Sequence, residues 1–257
     1  MSIIKYANEV RIQLDPNGIF VVEDNDSRKL LGYCAAVNLS NELAYIGGYC
    51  VRPEYRGHGI GKDLWNTGMA HMGDRNIAIF ALNYKMFEIY RDLQNFNCIP
   101  DRRILNMRGQ LNPSKDLIDT IDGISLVSVN ENNIRDVIEY DKQIPENIHL
   151  VAINDRKEVV GYCFVVEMCS GITGIAPLYA DNQQIAELLA NKCCQRLPPH
   201  KTTDVLLKCW HLNEGAIELA KKLGLNEVGQ QMTAFSKNII HINTDKIYSL
   251  SSSSYHL

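Results

Sequence analysis

The chain alternates short apolar runs with longer stretches in which apolar residues recur every three or four positions. Residues 19–22, 30–37 and 44–51 are apolar runs between polar or glycine-containing turns, a pattern that predicts three strands. From Ile60 the apolar positions continue at Leu64, Trp65 and Met69, the period of a helix with one buried face. A strand at 76–81, a helix at 84–94 and a strand through 104–107 complete a first set. A second set follows: a strand at 124–129, a helix at 132–140, strands at 150–153, 159–167 and 172–178, a helix at 184–195, a strand at 204–209 and a helix at 215–223. Mixed strands with helices on both faces predict an α/β or α+β protein.

The two sets resemble each other in detail. Leu31-Gly32-Tyr33-Cys34 aligns with Val160-Gly161-Tyr162-Cys163, an offset of 161 − 32 = 129 residues. Ile46 and Ile175 keep the same offset (175 − 46 = 129), and Asn83 and Asn213, each opening a helical stretch, are 213 − 83 = 130 apart. Three matches in the same order predict tandem modules over residues 1–110 and 120–257. Their junction falls near residues 109–122, where Asn112-Pro113-Ser114 marks a turn.

Composition narrows the class modestly. A chain of 257 residues, 46% hydrophobic, is long enough to build two cores. A net charge of −4 offers no bulk attraction for nucleic acid or a membrane surface. No apolar run nears the ~20 residues of a membrane span, and residues 1–10 lack the apolar segment of a secretion signal. None of the eight cysteines stands at metal-ligand spacing, and Cys34, Cys50 and Cys163 fall inside strand runs, as buried thiols do. These features predict a cytoplasmic protein without metal, nucleic-acid or membrane partners.

Candidate chemistry concentrates between the third strand and the first helix, in Val51-Arg52-Pro53-Glu54-Tyr55-Arg56-Gly57-His58-Gly59-Ile60-Gly61. A strand that turns through glycines into a helix start presents free N–H groups at the positive end of a helix dipole, which suits a phosphate. The dinucleotide fingerprint does not fit, because Gly57-His58-Gly59-Ile60-Gly61 is spaced G-x-G-x-G. Nor does the nucleoside-triphosphate loop, because Asp63 follows Gly61-Lys62 where Ser or Thr is required. A glycine-rich turn that binds nothing is the plainer alternative.

Arg56-Gly57-His58-Gly59, with Pro53-Glu54-Tyr55 ahead of it, resembles the coenzyme A pyrophosphate loop of the GNAT N-acetyltransferase superfamily. Asp15-Pro16-Asn17-Gly18-Ile19-Phe20 and Gly174-Ile175-Ala176-Pro177-Leu178-Tyr179-Ala180-Asp181-Asn182 extend the likeness to a subfamily whose catalytic module is followed by a second, degenerate one. The resemblance implies acetyl-CoA as co-substrate and direct attack by a primary amine of a small molecule or a peptide lysine. It implies cofactor contacts at Tyr49, Cys50, Val51, Arg56, Gly57, His58, Gly59, Ile60, Gly61, Lys62 and Asn83. It also assigns Tyr90, seven residues after Asn83, as the acid for the leaving thiolate. Met86 stands where the family has a small residue, and Gln94-Asn95-Phe96 departs from its Gly-Phe. Tyr90 reads also as a packed helix tyrosine. Glu42 and Tyr45, at the start of the strand leading to the loop, stand near where relatives place a carboxylate or water-holding group; Glu42 is the candidate base and reads also as a solvated strand-end charge. Glu23 and Asp24 are equally available as bases and equally ordinary as turn residues, His58 would face phosphate, and His71 would meet the dipole at its helix end.

The second copy has Ala220 where the first has Tyr90. After Asn182 it runs straight into Gln183-Gln184-Ile185-Ala186, with neither glycine nor cation. It is expected to be structural or substrate-shaping. Only eighteen residues precede the strand at Ile19, where a GNAT module ordinarily has a strand and one or two helices; residues 8–14 read as the tail of such a helix. The second copy also looks short between residues 141 and 149. The expected fold is therefore two tandem GNAT-like mixed-sheet modules, the first lacking most of its N-terminal strand and helices. Two functions follow: an acetyl-CoA-dependent N-acetyltransferase, or a non-catalytic GNAT-like binding or scaffold protein with coenzyme A binding retained or lost.

Overall fold

The computed structural model describes residues 11–128, 135–136, 148–168 and 171–250. Residues 1–10 and 141–147, Cys169, and the helix expected at 132–140 apart from helical 135–136 lie outside the described residues. Residues 11–14 are helical. Strands β1 (Ile19–Glu23), β2 (Leu30–Asn38) and β3 (Leu43–Val51) form an antiparallel meander. A 3-10 turn at Pro53–Tyr55 leads to α1 (Ile60–Met72), followed by β4 (Asn76–Ala81), α2 (Tyr84–Gln94) and β5 (Arg103–Gly109). The second set comprises β6 (Ile124–Val127), β7 (Ile148–Asn154), β8 (Val159–Glu167), β9 (Thr173–Ala180), α3 (Gln183–Gln195), β10 (Val205–Trp210), α4 (Glu214–Lys222), β11 (Asn226–Phe235) and β12 (Ile247–Ser249).

The repeat extends to strand register. Gly32 pairs with Val51 and Gly161 with Ala180, while Ala36 pairs with Ile46 and Val165 with Ile175. Each pair in the second set sits 129 residues after its counterpart. Both hairpins slip by one residue between these pairs, so the same bulge kinks β3 and β9. Gly48 takes up the extra residue in β3 with φ of 62°, and its counterpart in β9 is Pro177, preceded by a cis peptide bond.

All of the described strands except β12 lie in one path, ordered β1-β2-β3-β4-β11-β5-β10-β9-β8-β7-β6. The two sets exchange strands at the centre. β11 of the second set pairs with β4 and β5, while β5 of the first set also pairs with β10. The sheet therefore runs unbroken across the sequence junction near 109–122. Neither β11 nor β12 has a counterpart in the predicted elements, because β11 carries polar Gln231 and Thr233 at buried positions and β12 is only three residues long.

Alternation along the strands sorts the core into two faces. Cys34, Ala36, Ile46 and Ile79 pack against Leu64 and Trp65 of α1 and Phe87 and Tyr90 of α2. Leu105 and Met107 join the cluster built on α3 and α4, and Gln230, on the same side of β11 as Ala234, pairs with Leu105. The four long helices among the described residues, α1 to α4, thus lie on one face, while helical residues 11–14 reach the other, where Arg11 donates to the Tyr33 hydroxyl. The shared face follows from crossover handedness: β3-α1-β4 and β9-α3-β10 join parallel strands, and right-handed connections running in opposite senses bring both helices to the same side. Tyr45, Phe80, Ile104, Trp210 and Leu250 cluster on the other face.

Candidate functional site

The glycine-rich loop builds an open helix end. α1 is preceded by Gly59 in the left-handed region (φ 87°), and no side chain caps the helix. Its first helical bond runs from the Asp63 N–H to the Gly59 carbonyl, so the N–H groups of Ile60, Gly61 and Lys62 have no acceptor within the helix. Gly57 also has positive φ (85°), and a Cβ at Gly57 or Gly59 would meet no atom within 4 Å. Glycine is required there for backbone conformation, and the same two positions leave open space beside the free N–H groups. Arg56 Nε donates to the Val51 carbonyl at 3.1 Å, and His58 Nδ1 lies 3.1 Å from the Arg56 carbonyl. Arg56, His58 and Lys62 are exposed around this end. The donor set, the open space and the positive dipole end fit a pyrophosphate.

Beside the loop the sheet parts. β3 and β4 are paired in parallel from Leu43↔Asn76 to Ile46↔Ile79, and no further, so the second half of β3 leaves its neighbour. Tyr49, Cys50 and Val51 lie on this divergent half, with Cys50 exposed and the other two half-buried. Gly61 fits closely beneath Tyr49, since a Cβ there would lie 2.6 Å from the Tyr49 hydroxyl. This contact packs the helix start onto the strand that lines the gap. Tyr45 leans over Gly47, whose missing side chain makes room for the phenol.

Tyr90 projects from α2 into the same region. Its ring stacks on Trp65 at 5.7 Å and 9°, and Trp65 meets Tyr49 edge-on at 5.7 Å. Burial, reinforced by Tyr49, Tyr45 and Cys34 around it, pushes the Tyr90 phenol up to about 12. It therefore stays protonated at any physiological pH, as a hydrogen-bond donor. Trp65 was visible in the sequence only as a helix core position; its role in holding the Tyr90 ring flat is a product of packing. Asn83 caps α2, its Oδ1 accepting from the Met86 N–H at 3.0 Å.

Glu42 is not brought to this gap. It is exposed just before β3, and its carbonyl accepts from Asn76 N at the paired end of the two strands. At ~3.3 Å per residue, it stands roughly 13 Å along the strand from Ile46, where the strands part. Glu23 pairs with Arg28, Asp24 caps a turn through Ser27, and His71, in the last turn of α1, contacts Asp15 at 2.7 Å.

The second module closes every one of these features. The Asn182 side chain caps α3, accepting from the Ile185 N–H at 3.0 Å, and Asp181 pairs with Lys246 at 2.8 Å. β9 and β10 pair only at Thr173↔Val205 and Gly174↔Leu206 before diverging, and β12 fills the space that follows. It pairs with β9, and Leu250 N donates to the Lys208 carbonyl of β10 at 2.8 Å. Asn213, the counterpart of Asn83, caps α4 and donates through Nδ2 to the carbonyls of Thr244, Asp245 and Ile247. Ala220 is fully buried in the core that also holds Tyr248.

No group of three or more His, Cys, Asp or Glu residues among the described residues could hold a metal ion, and no described helix is long and apolar enough to cross a membrane. Residues 3–96 match the acetyltransferase (GNAT) family model, and residues 133–249 match a model for an acetyltransferase (GNAT) domain. A holothin acyltransferase from Pseudoalteromonas sp. (strain SANK 73390) is 24% identical over 229 residues, 84% of this chain and 73% of the relative. Among solved structures, a tandem GNAT protein from the clavulanic acid biosynthesis pathway aligns with a TM-score of 0.66 at 13% identity, over 87% of this chain and 85% of its own. A GCN5-related N-acetyltransferase from Sphaerobacter thermophilus aligns with a TM-score of 0.58 at 16% identity, over 96% of this chain and 87% of its own.

Proposed function

We propose, for a chain that belongs to the GNAT acyltransferase superfamily through both of its modules, that the first module transfers an acetyl group from acetyl-CoA to a primary amine. The observation that carries this reading is the conjunction, in the first module alone, of an uncapped helix end, a parted pair of strands beside it and a protonated tyrosine facing that gap. In the direct reaction the amine nitrogen attacks the thioester carbonyl carbon, the C–N bond forms, the C–S bond breaks and the sulfur leaves as thiolate.

The residues divide this work. The N–H groups of Ile60, Gly61 and Lys62, with Arg56 and His58, would hold the pyrophosphate and fix the reach of the thioester arm. Tyr49, Cys50 and Val51 would line that arm, and Asn83 would offer it an amide. Tyr90 would donate to the sulfur as negative charge develops there. Against a thiol pKa near ~8.5, complete transfer from a phenol at about 12 is uphill, unless burial raises the thiolate as well. A hydrogen bond that strengthens in the transition state is the role this environment favours. An amine of pKa ~10.4 is neutral about once in a few thousand molecules at pH 7, so the site must also take up a proton.

The distance of Glu42 from the gap favours a second reading, a coenzyme A-binding protein without turnover. Thiol release from acetyl-CoA by the full-length protein, measured across a panel of primary amines, separates the two. Amine-dependent release supports transfer. Saturable coenzyme A binding with no release for any amine supports the second reading.

A further inference from the structure

On the face of the sheet opposite the helices, Arg102 is buried beside the start of β5, with its guanidinium 5.5 Å from the Trp210 ring and 5.7 Å from the Phe235 ring. Nη1 donates to the Ile240 carbonyl at 2.6 Å, while Nε and Nη2 have no partner. That free edge is the fork that takes a carboxylate through two parallel hydrogen bonds. Two other arginines show it in use: Arg108 and Arg91 each engage an aspartate through Nε and Nη2, with Asp204 and Asp92 as acceptors. Those two forks are filled and lie near the surface. The buried one is empty.

The surroundings of this fork are also short of acceptors. Trp210 Nε1 and Thr233 Oγ1 are buried without partners. Thr233 lies one step beyond the pair Met232↔Arg103, across from Arg102 and on the same face. Lys208, opposite Asn106, stands four residues along β5 from Arg102 and is no part of this fork. Burial lowers the Arg102 pKa, with no opposing charge to offset it. An unpaired buried cation and orphaned donors are each unfavourable, so their concentration around Arg102 is the signature of a site that fits an anion.

We propose that Arg102, with Trp210 and Thr233, forms a binding site for the carboxylate of a ligand, and that this ligand is the amine acceptor. A planar group with two oxygens and one negative charge matches the Nε/Nη2 fork, and the indole and hydroxyl can serve its remaining lone pairs. The acceptor's identity, though not the carboxylate site, rests on the acyl-transfer reading above. It is supported by position: Trp210 belongs to the same apolar cluster as Tyr45 and Phe80, and Tyr45 stands where β3 and β4 part. The substrate class is thus an aminocarboxylate, an amino acid or a peptide end that carries both groups.

The test uses the full-length protein and matched probes: glycine, β-alanine and 4-aminobutyrate, each against its own amide, with inorganic phosphate as a further arm. Melting temperature should rise saturably with at least one aminocarboxylate and not with its amide, and Arg102→Lys, which keeps the charge and loses the fork, should weaken that affinity about 10- to 100-fold. Any phosphate effect should be unchanged in Arg102→Lys, since the loop after β3 is the phosphate binder. Should Arg102→Lys not fold, Thr233→Val and the acid-against-amide comparison in the wild type still decide. Equal shifts from acid and amide, no shift from any of the three acids, or an unchanged acid affinity in Arg102→Lys would overturn the site. Acid-selective binding without acetyl transfer to any amine would instead remove the acceptor role and the transferase reading, leaving the carboxylate site standing.

Discussion

The first and second modules share a frame and differ in what completes it. Both have the hairpin with a bulge, a parallel strand pair that parts after a few residues, and a helix that starts beside the gap. In the first, the helix start is an uncapped glycine and the gap is bordered by Tyr45, Tyr49 and Tyr90. In the second, Asn182 caps the helix and β12 supplies the missing hydrogen bonds inside the gap. The comparison shows that one frame can leave its helix start and strand gap open or close both. In the second copy the groups left open in the first are satisfied by the chain itself. That copy supports the other directly, since β11 lies between β4 and β5.

The sharpest way to break this comparison is at Tyr90. Tyr90→Phe should lower kcat about 10²–10⁴-fold with little change in acetyl-CoA affinity, because the phenol acts chiefly as charge develops on sulfur. With its pKa held at about 12, Tyr90 should cause no alkaline loss of activity below about pH 11. An unaltered kcat in steady-state assays would make Tyr90 a packing residue like its neighbours.

The next largest effect belongs to the loop. Gly59→Val should weaken coenzyme A binding at least about 10-fold, because a β-branched residue is poorly accommodated at φ of 87°. Calorimetry of the wild type should give one coenzyme A per chain. Two equivalents, or unchanged affinity in Gly59→Val, would show that the open helix end is not what distinguishes the modules.

A smaller effect separates the two asparagines. Asn213→Ala should cost about 2 kcal/mol of stability, combining a lost cap with the loss of its bonds to the carbonyls that hold β12. Asn83→Ala should cost only the cap, about 1 kcal/mol. Denaturant midpoints at unchanged slope check this, and equal losses would mean that Asn213 does not secure the strand. The mildest change is Arg56→Ala, an exposed cation in the first module, which should weaken coenzyme A binding only a few-fold, and less so at high salt.

Local pattern carried much of this molecule. The strands at 76–81 and 159–167 and the helix at 84–94 follow from their own apolar spacing, and the repeat follows from matched tetrapeptides at a fixed offset. The loop after β3 was legible because glycine conformation and a helix start are properties of adjacent residues. β11 was not legible: Gln231 and Thr233 are polar, and only the neighbouring β4 and β5 make their positions interior. Glu42 looked available in sequence because proximity along the chain does not reveal which end of a strand pair stays closed.

The sequence by itself determined the two modules, their α/β character and the glycine turn that opens the first long helix, since each depends on residues within one or two turns of chain. Tertiary structure alone decided that the modules exchange β5 and β11, that the four described long helices share a face, that Trp65 holds Tyr90, and that β12 occupies the second gap. It also decided that Arg102, Trp210 and Thr233, more than a hundred residues apart in part, leave their donors unmet on one surface. Hydrogen-bond satisfaction and burial depend on which distant segments become neighbours, and no local pattern of apolar and polar residues encodes that.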